Sequence, residues 1–264
     1  MQFIDLSTTL RNDGPNDPPQ QRARIYYTDH AEGRDNMLSF FPKATEADLP
    51  EGLGWAYETA VLGTHTGTHL DAPWHYHPTM NRGDRAITID EVPLEWCYGN
   101  GVKLDFSKKG DGYLITAKDI ETELKTICHT LKPGEIVLIQ SGAAPYEGTE
   151  EYMRRGCGMG REATVYLAEK GIRMMGTDAW SWDRPLPLIA EEFQESGDNS
   201  IIWEGHFAGI ACTFCHMEKL TNLDLLPGDG FKVICFPIKI ARASAGWVRP
   251  VALIENSEDD RFIR

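Results

Sequence analysis

Helical patterns and short apolar strands alternate through the middle of the chain, and this alternation constrains the fold more than any other feature. A helical pattern over 117–131 ends at Pro133 and is followed by a buried-type strand at 135–141. A second helical pattern over 161–170 precedes a strand at 172–175. Further strand patterns cluster toward the two ends, at 3–6, 55–62, 101–106, 231–236 and 250–254. This arrangement predicts a mixed α/β domain rather than a strictly parallel, doubly wound sheet.

The length is compatible with one large domain. A chain of 264 residues buries roughly 70–75% of its unfolded surface and folds without disulfides or metal. We find no internal repeat and no obvious linker, so we predict a single domain over 1–264. Two stretches interrupt the regular patterns: 24–55 is predicted to be a long, partly ordered excursion, and 185–200 is predicted to be a loop or lid.

The charge balance excludes several classes of partner. The chain has 26 Lys and Arg against 40 Asp and Glu, a net charge of −14, and such a surface repels nucleic acids and anionic membranes. No apolar run reaches the ~18 residues of a membrane span, and the start lacks the pattern of a secretory signal. We therefore expect a cytoplasmic protein with reduced cysteines that acts on a small molecule.

Four of the eight histidines fall between residues 65 and 77, in the segment HTGTHLDAPWHYH. His65, His69 and Asp71 offer the imidazole and carboxylate ligands that Zn²⁺ or Mn²⁺ accepts. Two histidines and one carboxylate leave coordination positions open, as catalytic rather than structural sites do. The spacing of four residues between His65 and His69 could place both on one helix face, but Gly67 and Pro73 favour a strand end or tight loop.

The next histidine in this segment has a different predicted role. Three protein ligands already suffice for a catalytic metal, so His75 is predicted to be a general acid and base. In the alternative interpretation, His75 is a fourth metal ligand and His77 is merely an exposed side chain.

The segment HTGTHLDAPWH resembles the H-x-G-T-H-x-D-x-P-x-H signature of the cyclase family of metal-dependent hydrolases, which includes bacterial kynurenine formamidases and isatin hydrolases. Ile4-Asp5-Leu6-Ser7, the strand and turn at 138–142 and the stretch 176–183 also resemble that family. The resemblance implies an α/β fold of the swivelling β/β/α type, with helices packed on one mixed sheet. It also implies a homodimer or homotetramer.

The resemblance assigns further site residues. It places metal binding on His65, His69 and Asp71, and proton transfer on His75. A later histidine and glutamate, twelve residues apart, join the site in the formamidase branch and can hold a second metal. His206 and Glu218 have that spacing here, with His216 as a nearby rival. Asp178 and Asp183 either orient a ligand histidine or cap a turn.

The predicted reaction is hydrolysis of a C–N bond in a cyclic or aryl amide by metal-activated water, with His75 passing a proton to the leaving nitrogen. Chain length and aromatic content favour an isatin-like substrate over an aryl formamide such as N-formylkynurenine, and a lactone is the nearest other alternative. The predicted pocket aromatics are Trp74, Phe40, Phe41, Trp180 and Trp182.

A different class of function is also compatible with the sequence. Cys212-Thr213-Phe214-Cys215 is a C-x-x-C pair, so the chain could be a metal-binding or redox module that does no hydrolysis. Core cysteines beside the metal site are the simpler interpretation of that pair.

Overall fold

The computed structural model describes residues 1–12 and 14–255. Within them the strands are β1 (Gln2–Asp5), β2 (Arg24–Thr28), β3 (Tyr57–Val61), β4 (His69–Asp71), β5 (Thr79–Met80), β6 (Asp84–Arg85), β7 (Tyr98–Asp105), β8 (Leu114–Ile115), β9 (Ile136–Gln140), β10 (Gly158–Met159), β11 (Met174–Thr177), β12 (Cys215–Glu218), β13 (Phe231–Ile234), β14 (Ala245–Trp247) and β15 (Val251–Ile254). The α-helices are α1 (Arg34–Leu38), α2 (Pro73–Tyr76), α3 (Ala117–Thr126), α4 (Arg161–Glu169), α5 (Leu186–Ser196) and α6 (Glu204–Phe207). Short 3-10 helices occupy several of the connections.

One large mixed sheet organises the molecule, in the order β1-β15-β13-β7-β9-β11-β12-β4-β14. The neighbouring strands β7, β9, β11 and β12 run parallel, and antiparallel strands continue the sheet on both sides of them. Helical crossovers join parallel strands, whereas antiparallel strands need no helix between them. The predicted mixed α/β fold, with helices packed on the sheet, is confirmed.

Strand β9 shows why both faces of the sheet are covered. Ile136 and Leu138 point into one apolar core, and Val137 and Ile139 point into the other. Successive side chains of a strand face opposite sides, so a strand that is apolar at every position is buried on both faces. Helices α3 and α4 contribute Leu124, Leu167 and their neighbours to the second core.

Most predicted elements are present, with different ends, but the predicted loop or lid at 185–200 is wrong. It is mainly the helix α5, Leu186–Ser196, which ends at Gly197 with a φ of 67°. Pro185 and Pro187 suggested a loop, yet proline is tolerated in the first turn of a helix, where the amides have no partner within the helix.

The sequence expectations on location and domain extent have different outcomes. In residues 1–12 and 14–255, no helix combines the length and apolarity needed to cross a bilayer. The cytoplasmic location stays a prediction. So does the single domain over 1–264, whose segment 256–264 lies outside the described residues.

His129 links the chain after α3 to the start of β9. Its Nε2 lies 3.0 Å from Glu135 Oε2, and its Nδ1 lies 2.7 Å from Asp229 Oδ2. Partial burial lowers the pKa of His129, but the two carboxylates outweigh it and raise the pKa above 6.5. Because the folded pKa exceeds the unfolded one, this stabilisation is fully present below about pH 6.5 and disappears as the pH rises through the folded pKa.

His129→Gln should therefore reduce the free energy of unfolding more at about pH 6 than at about pH 9. Urea denaturation of the wild type and the variant at both pH values measures the two differences. Equal differences would show that the charge of His129 does not stabilise the fold.

Candidate active site

A tight turn precedes β4 and determines where the first histidine lies. Gly67 has a φ of 68°, in the left-handed region that glycine adopts at little cost, and Thr66 N donates to Gly63 O at 3.1 Å. The turn presents His65 beside the end of β4 without placing it on a helix. The predicted strand end or tight loop is therefore confirmed for this part of the segment.

The pairing of β4 with β12 brings four polar side chains to one face of the sheet. His69 lies opposite Glu218, and Asp71 lies opposite His216, in an antiparallel register. Residues two apart on a strand share a face, so His69 and Asp71 lie next to His216 and Glu218. All four residues are buried.

Hydrogen bonds at Nδ1 orient three of the imidazoles. His69 Nδ1 lies 2.8 Å from Gly67 O, His206 Nδ1 contacts Asp183 Oδ2, and His216 Nδ1 lies 2.9 Å from Tyr76 Oη. In each case Nε2 faces the carboxylates of Asp71 and Glu218, at distances between 3.1 and 3.7 Å. Partners of this kind fix the ring orientation of metal-binding histidines.

Two more histidines approach Asp71 from the side of the cavity. His65 Nδ1 lies 2.9 Å from Asp71 Oδ1, and His75 Nε2, on α2, lies 3.8 Å from Asp71 Oδ2. The rings of His65 and His75 are 4.0 Å apart between centroids. Burial lowers the pKa of His75 to about 4 in spite of Asp71, so its imidazole is neutral at pH 7.

The carboxylates are held in their charged form. Burial alone would raise the pKa of Asp71, but attraction to the protonated imidazoles of His75, His69 and His65 at low pH lowers it well below its ordinary value. Burial also acts on Glu218, and the hydrogen bonds of His206 and His216 again lower its pKa well below the ordinary value. The site therefore offers two buried carboxylates to a cation.

The buried atoms of this cluster fit a divalent metal. Within the described residues, His69 Nε2 and both carboxylate oxygens of Asp71 are buried and make no hydrogen bond of good geometry, although imidazole nitrogens surround the carboxylate at 2.9 to 3.8 Å. Buried polar atoms are normally paired, because leaving them unpaired is costly. Nitrogen and oxygen donors are the set that Zn²⁺ and Mn²⁺ take. The predicted metal site is therefore supported in its donor chemistry, while the metal itself is not identified.

Two overlapping groups of residues have ligand atoms within 4.8 Å of one another, and Asp71 belongs to both. One group is Asp71, His206, His216 and Glu218, and the other is His65, Asp71 and His75. The structure thus brings together the predicted residues His65, His69, Asp71, His75, His206 and Glu218. It adds His216, the rival to His206, whose signal was the alternation His216-x-Glu218 on a strand.

A cavity of about 350 Å³ opens onto this cluster. Its lining consists of Gln21, Gly63, His65, Thr66, His69, His75, Trp180, Ser181, Leu186, Trp203, His206, Glu218 and Lys219. Trp203 stacks on His206 with centroids 4.1 Å apart. No sequence motif marks this tryptophan, so it is not among the predicted pocket residues.

The predicted pocket aromatics have different positions. Trp180 lines the cavity. Trp182 is buried beneath the cavity and stacks against His216, with ring centroids 5.1 Å apart. Its Nε1 donates to Thr164 Oγ1, which holds the indole in the core. Trp74, Phe40 and Phe41 are exposed and do not line the cavity in the described residues.

The remaining sequence candidates have simpler positions. Asp183 contacts His206, whereas Asp178 accepts a hydrogen bond from Ser141 N at 2.6 Å and so caps a turn.

The C-x-x-C pair lies in the core beside the site. Cys215 is buried in β12, and Cys212 Sγ donates to Ala208 O at 3.3 Å. Burial raises the pKa of both thiols, Cys212 to about 11, which disfavours the thiolate that redox chemistry needs.

Comparison with known proteins identifies the family. The Cyclase family model matches residues 4–184, which is more than half of the chain. The chain belongs to the cyclase family. The predicted family is therefore confirmed.

Two curated members of related sequence are enzymes. An isatin hydrolase of Roseibium aggregatum is 26% identical over 227 residues, which is 80% of this chain and 80% of the relative. A kynurenine formamidase of Erythrobacter litoralis is 25% identical over 193 residues, 72% of this chain and 74% of the relative.

Solved structures share the fold of this cyclase-family chain. An isatin hydrolase bound to the product analogue thioisatinate superimposes with a TM-score of 0.73 at 22% identity, covering 97% of this chain and 93% of the other. A potential metal-dependent hydrolase with cyclase activity superimposes with a TM-score of 0.65 at 19% identity, covering 97% and 99%. These identities are low, so the two structures support the fold alone.

Proposed function

We propose that this protein is a metal-dependent hydrolase that cleaves the C–N bond of a cyclic or aryl amide, with an isatin-like cyclic amide as the favoured substrate. The observation that carries the proposal is the convergence of imidazole nitrogens on Asp71 and Glu218 at the end of a cavity with tryptophan walls. The isatin hydrolase and kynurenine formamidase relatives both cleave C–N bonds other than peptide bonds, which supports this reaction class.

His65, His69 and Asp71 would hold the metal, with His206, His216 and Glu218 available beside them. When bound, Mn²⁺ or Zn²⁺ supplies Lewis-acid chemistry, which makes water a nucleophile near neutral pH and polarises the substrate carbonyl. The protein residues exclude bulk water and orient the donors, because His69, Asp71, His206 and His216 are buried and the three imidazoles are hydrogen-bonded from behind at Nδ1.

His75 moves the proton in this mechanism. It lines the cavity, its side chain is 26% exposed, and its imidazole is neutral at pH 7. A neutral imidazole can take a proton from the attacking water and return it to the leaving nitrogen. The carboxylate of Asp71, 3.8 Å from Nε2, would stabilise the imidazolium that forms in between.

The cavity walls favour a flat substrate. Trp180 and Trp203 line it together with Leu186. Planar aromatic rings stack well on such walls, and a volume of about 350 Å³ is at the lower end of small-molecule sites. An aryl formamide is the second candidate substrate, because a kynurenine formamidase is among the relatives.

A substrate panel tests this proposal. Isatin, N-formylkynurenine and small lactones are assayed with the protein loaded with Mn²⁺ or Zn²⁺, and the expected result is ring opening of isatin at the highest kcat/KM. Faster hydrolysis of N-formylkynurenine or of a lactone would make that compound, instead of isatin, the preferred substrate. No hydrolysis of any of them would refute the proposed reaction and would favour the metal-binding or redox module.

We further propose a homodimer or homotetramer, which an exposed arm of the chain supports. The aromatic arm, residues 24–61, contains the antiparallel pair β2 and β3, and neither strand contains a buried residue. Its exposed large apolar side chains are Tyr26, Tyr27, Phe40, Phe41, Leu53, Trp55, Tyr57 and Val61. A two-stranded pair is marginally stable alone, and the concentration of exposed apolar side chains in this arm supports an interaction surface there.

Light scattering at micromolar concentration should therefore give the mass of a dimer or tetramer. Replacing Tyr26 and Tyr27 together with glutamate should shift the protein toward the monomer, because the new charges would be buried in the interface. Leu225→Glu is the control, since Leu225 is equally exposed but lies outside the aromatic arm. A wild-type monomer would refute the association.

A further inference from the structure

A buried lysine lies in the wall of the reaction cavity, directly after Glu218 in the chain. Lys219 is 3% exposed and lines the same cavity as His65 and His75. Lysine is rarely buried to this degree unless it is paired. The proposed metal mechanism gives this ammonium no role.

The ammonium is held by two partners. Lys219 Nζ donates to Asp17 Oδ1 and to the backbone oxygen of His65, the latter at 3.0 Å. Asp17 also accepts a hydrogen bond from Trp180 Nε1 at 3.0 Å. One carboxylate therefore fixes both the ammonium and an aromatic wall of the cavity, and the Lys219 Nζ lies 4.9 Å from the centre of the Trp180 ring.

The backbone of Lys219 is also fixed. Its φ of 59° is in the left-handed region, which is unfavourable for lysine. Its N–H donates to Ala179 O at 2.9 Å, and its carbonyl accepts from Thr68 Oγ1 at 2.7 Å. Such strain persists only where the surroundings hold it, and it is commonest at functional sites.

Among the described residues, the ammonium has one hydrogen more than it has oxygen acceptors. A lysine carries three N–H donors, and within residues 1–12 and 14–255 two acceptors contact Nζ. We propose that Lys219 donates the third hydrogen bond to a second oxygen of the substrate, a ketone or carboxylate oxygen beside the scissile amide. This inference rests on the proposed function and adds a specificity-determining residue to it.

The position of Nζ indicates where that oxygen lies. Nζ contacts the backbone of His65, whose imidazole adjoins Asp71, and it lies over the Trp180 ring, 4.9 Å from its centre. A substrate ring stacked on Trp180, with its amide at the metal cluster, would direct an ortho substituent toward Nζ. The substrate class is therefore an aryl amide with a carbonyl carbon attached ortho to the amide nitrogen, and isatin has that arrangement.

Three formamides with the same scissile bond test the inference. Formanilide has no second oxygen, 2-formamidoacetophenone has a ketone, and N-formylanthranilate has a carboxylate. The wild type should prefer the two ortho-substituted compounds in kcat/KM, and Lys219→Met should reduce that preference by about tenfold or more, as expected for a hydrogen bond from a charged donor. The compound that loses more identifies the oxygen as ketone or carboxylate.

Two further variants separate recognition from folding. Lys125→Met removes an exposed lysine of α3 and should leave the preference unchanged. The double variant Asp17→Asn/Lys219→Met removes both members of the buried pair, which avoids leaving Asp17 charged and unpaired. It should bind the metal with the wild-type stoichiometry and still lose the preference.

Direct binding distinguishes failure of this inference from failure of the proposed function. Binding of anthranilate to the metal-loaded protein is followed by its fluorescence, and binding of aniline is measured by its competition with anthranilate. Both measurements report binding without turnover. Tighter binding of anthranilate by the wild type, lost in Lys219→Met, would support the role of Lys219 even if no formamide is hydrolysed. Equal binding of the two compounds by the wild type, or an unchanged preference in Lys219→Met, would overturn it.

Discussion

His69→Ala should leave the protein without stoichiometric metal and without measurable hydrolysis. His69 is buried, its Nδ1 is occupied by Gly67 O, and its Nε2 has no hydrogen-bond partner within the described residues. The variant removes one donor from the centre of the cluster and leaves Glu218 without its cross-strand neighbour. Fewer protein ligands hold a divalent ion less tightly, so elemental analysis after gel filtration should show little metal.

A matched control is available in the same segment. His77→Ala is the same substitution eight residues later, where the Nδ1 of His77 lies within hydrogen-bond distance of the backbone and hydroxyl of Thr79. This control should retain metal and activity. Chelation should lower the Tm of the wild type and of His77→Ala, because the metal binds the folded state, but should hardly change that of His69→Ala. Stoichiometric metal in His69→Ala would remove His69 from the proposed ligand set.

His75→Ala should retain the metal and lose roughly 10²- to 10⁴-fold in kcat, the usual contribution of general acid and base catalysis. The pH–rate profile should lose one limb, because a titrating group has gone. Substrates with good leaving groups should be affected less, since their departing atom needs less protonation. Stopped assays of kcat, with metal content determined on the same samples, measure these effects.

The metal content decides between the two roles that the geometry allows for His75. His75 lies within ligand range of His65 and Asp71, as well as in the cavity wall. A metal-free His75→Ala protein would make His75 a ligand, and Glu218 would be the next candidate for proton transfer. A variant with full metal and full kcat on a poor leaving group would rule out a general acid at this position.

The part of the site that lies close together in the chain could be predicted from the sequence. His65 lies in a turn, His69 and Asp71 lie on β4, and His75 lies on the short helix α2 that follows. Their close spacing in the chain therefore implies that they lie near one another. His216 could not be assigned in the same way, because its contact with Asp71 depends on the register between β4 and β12, which lie far apart in the chain.

The pocket walls were harder to predict for the same reason. Aromatic residues stabilise cores and walls alike, and only packing decides between the buried Trp182 and the cavity-lining Trp203. The helix α5 was missed because prolines at its start outweighed the apolar spacing of Leu186, Ile189, Ala190 and Phe193, which is helical. The central elements could be predicted because α3 has a regular helical spacing of apolar residues and β9 is a continuous apolar run between turn residues.

Removal and restoration of the metal test the central claim most directly. The protein is stripped with a chelator, freed of chelator by gel filtration, and assayed for isatin ring opening before and after addition of Mn²⁺ or Zn²⁺. We predict that ring opening disappears with the metal and returns when one of these ions is restored. Turnover that persists in the metal-free protein, or a reloaded protein that opens no amide of the panel, would contradict it.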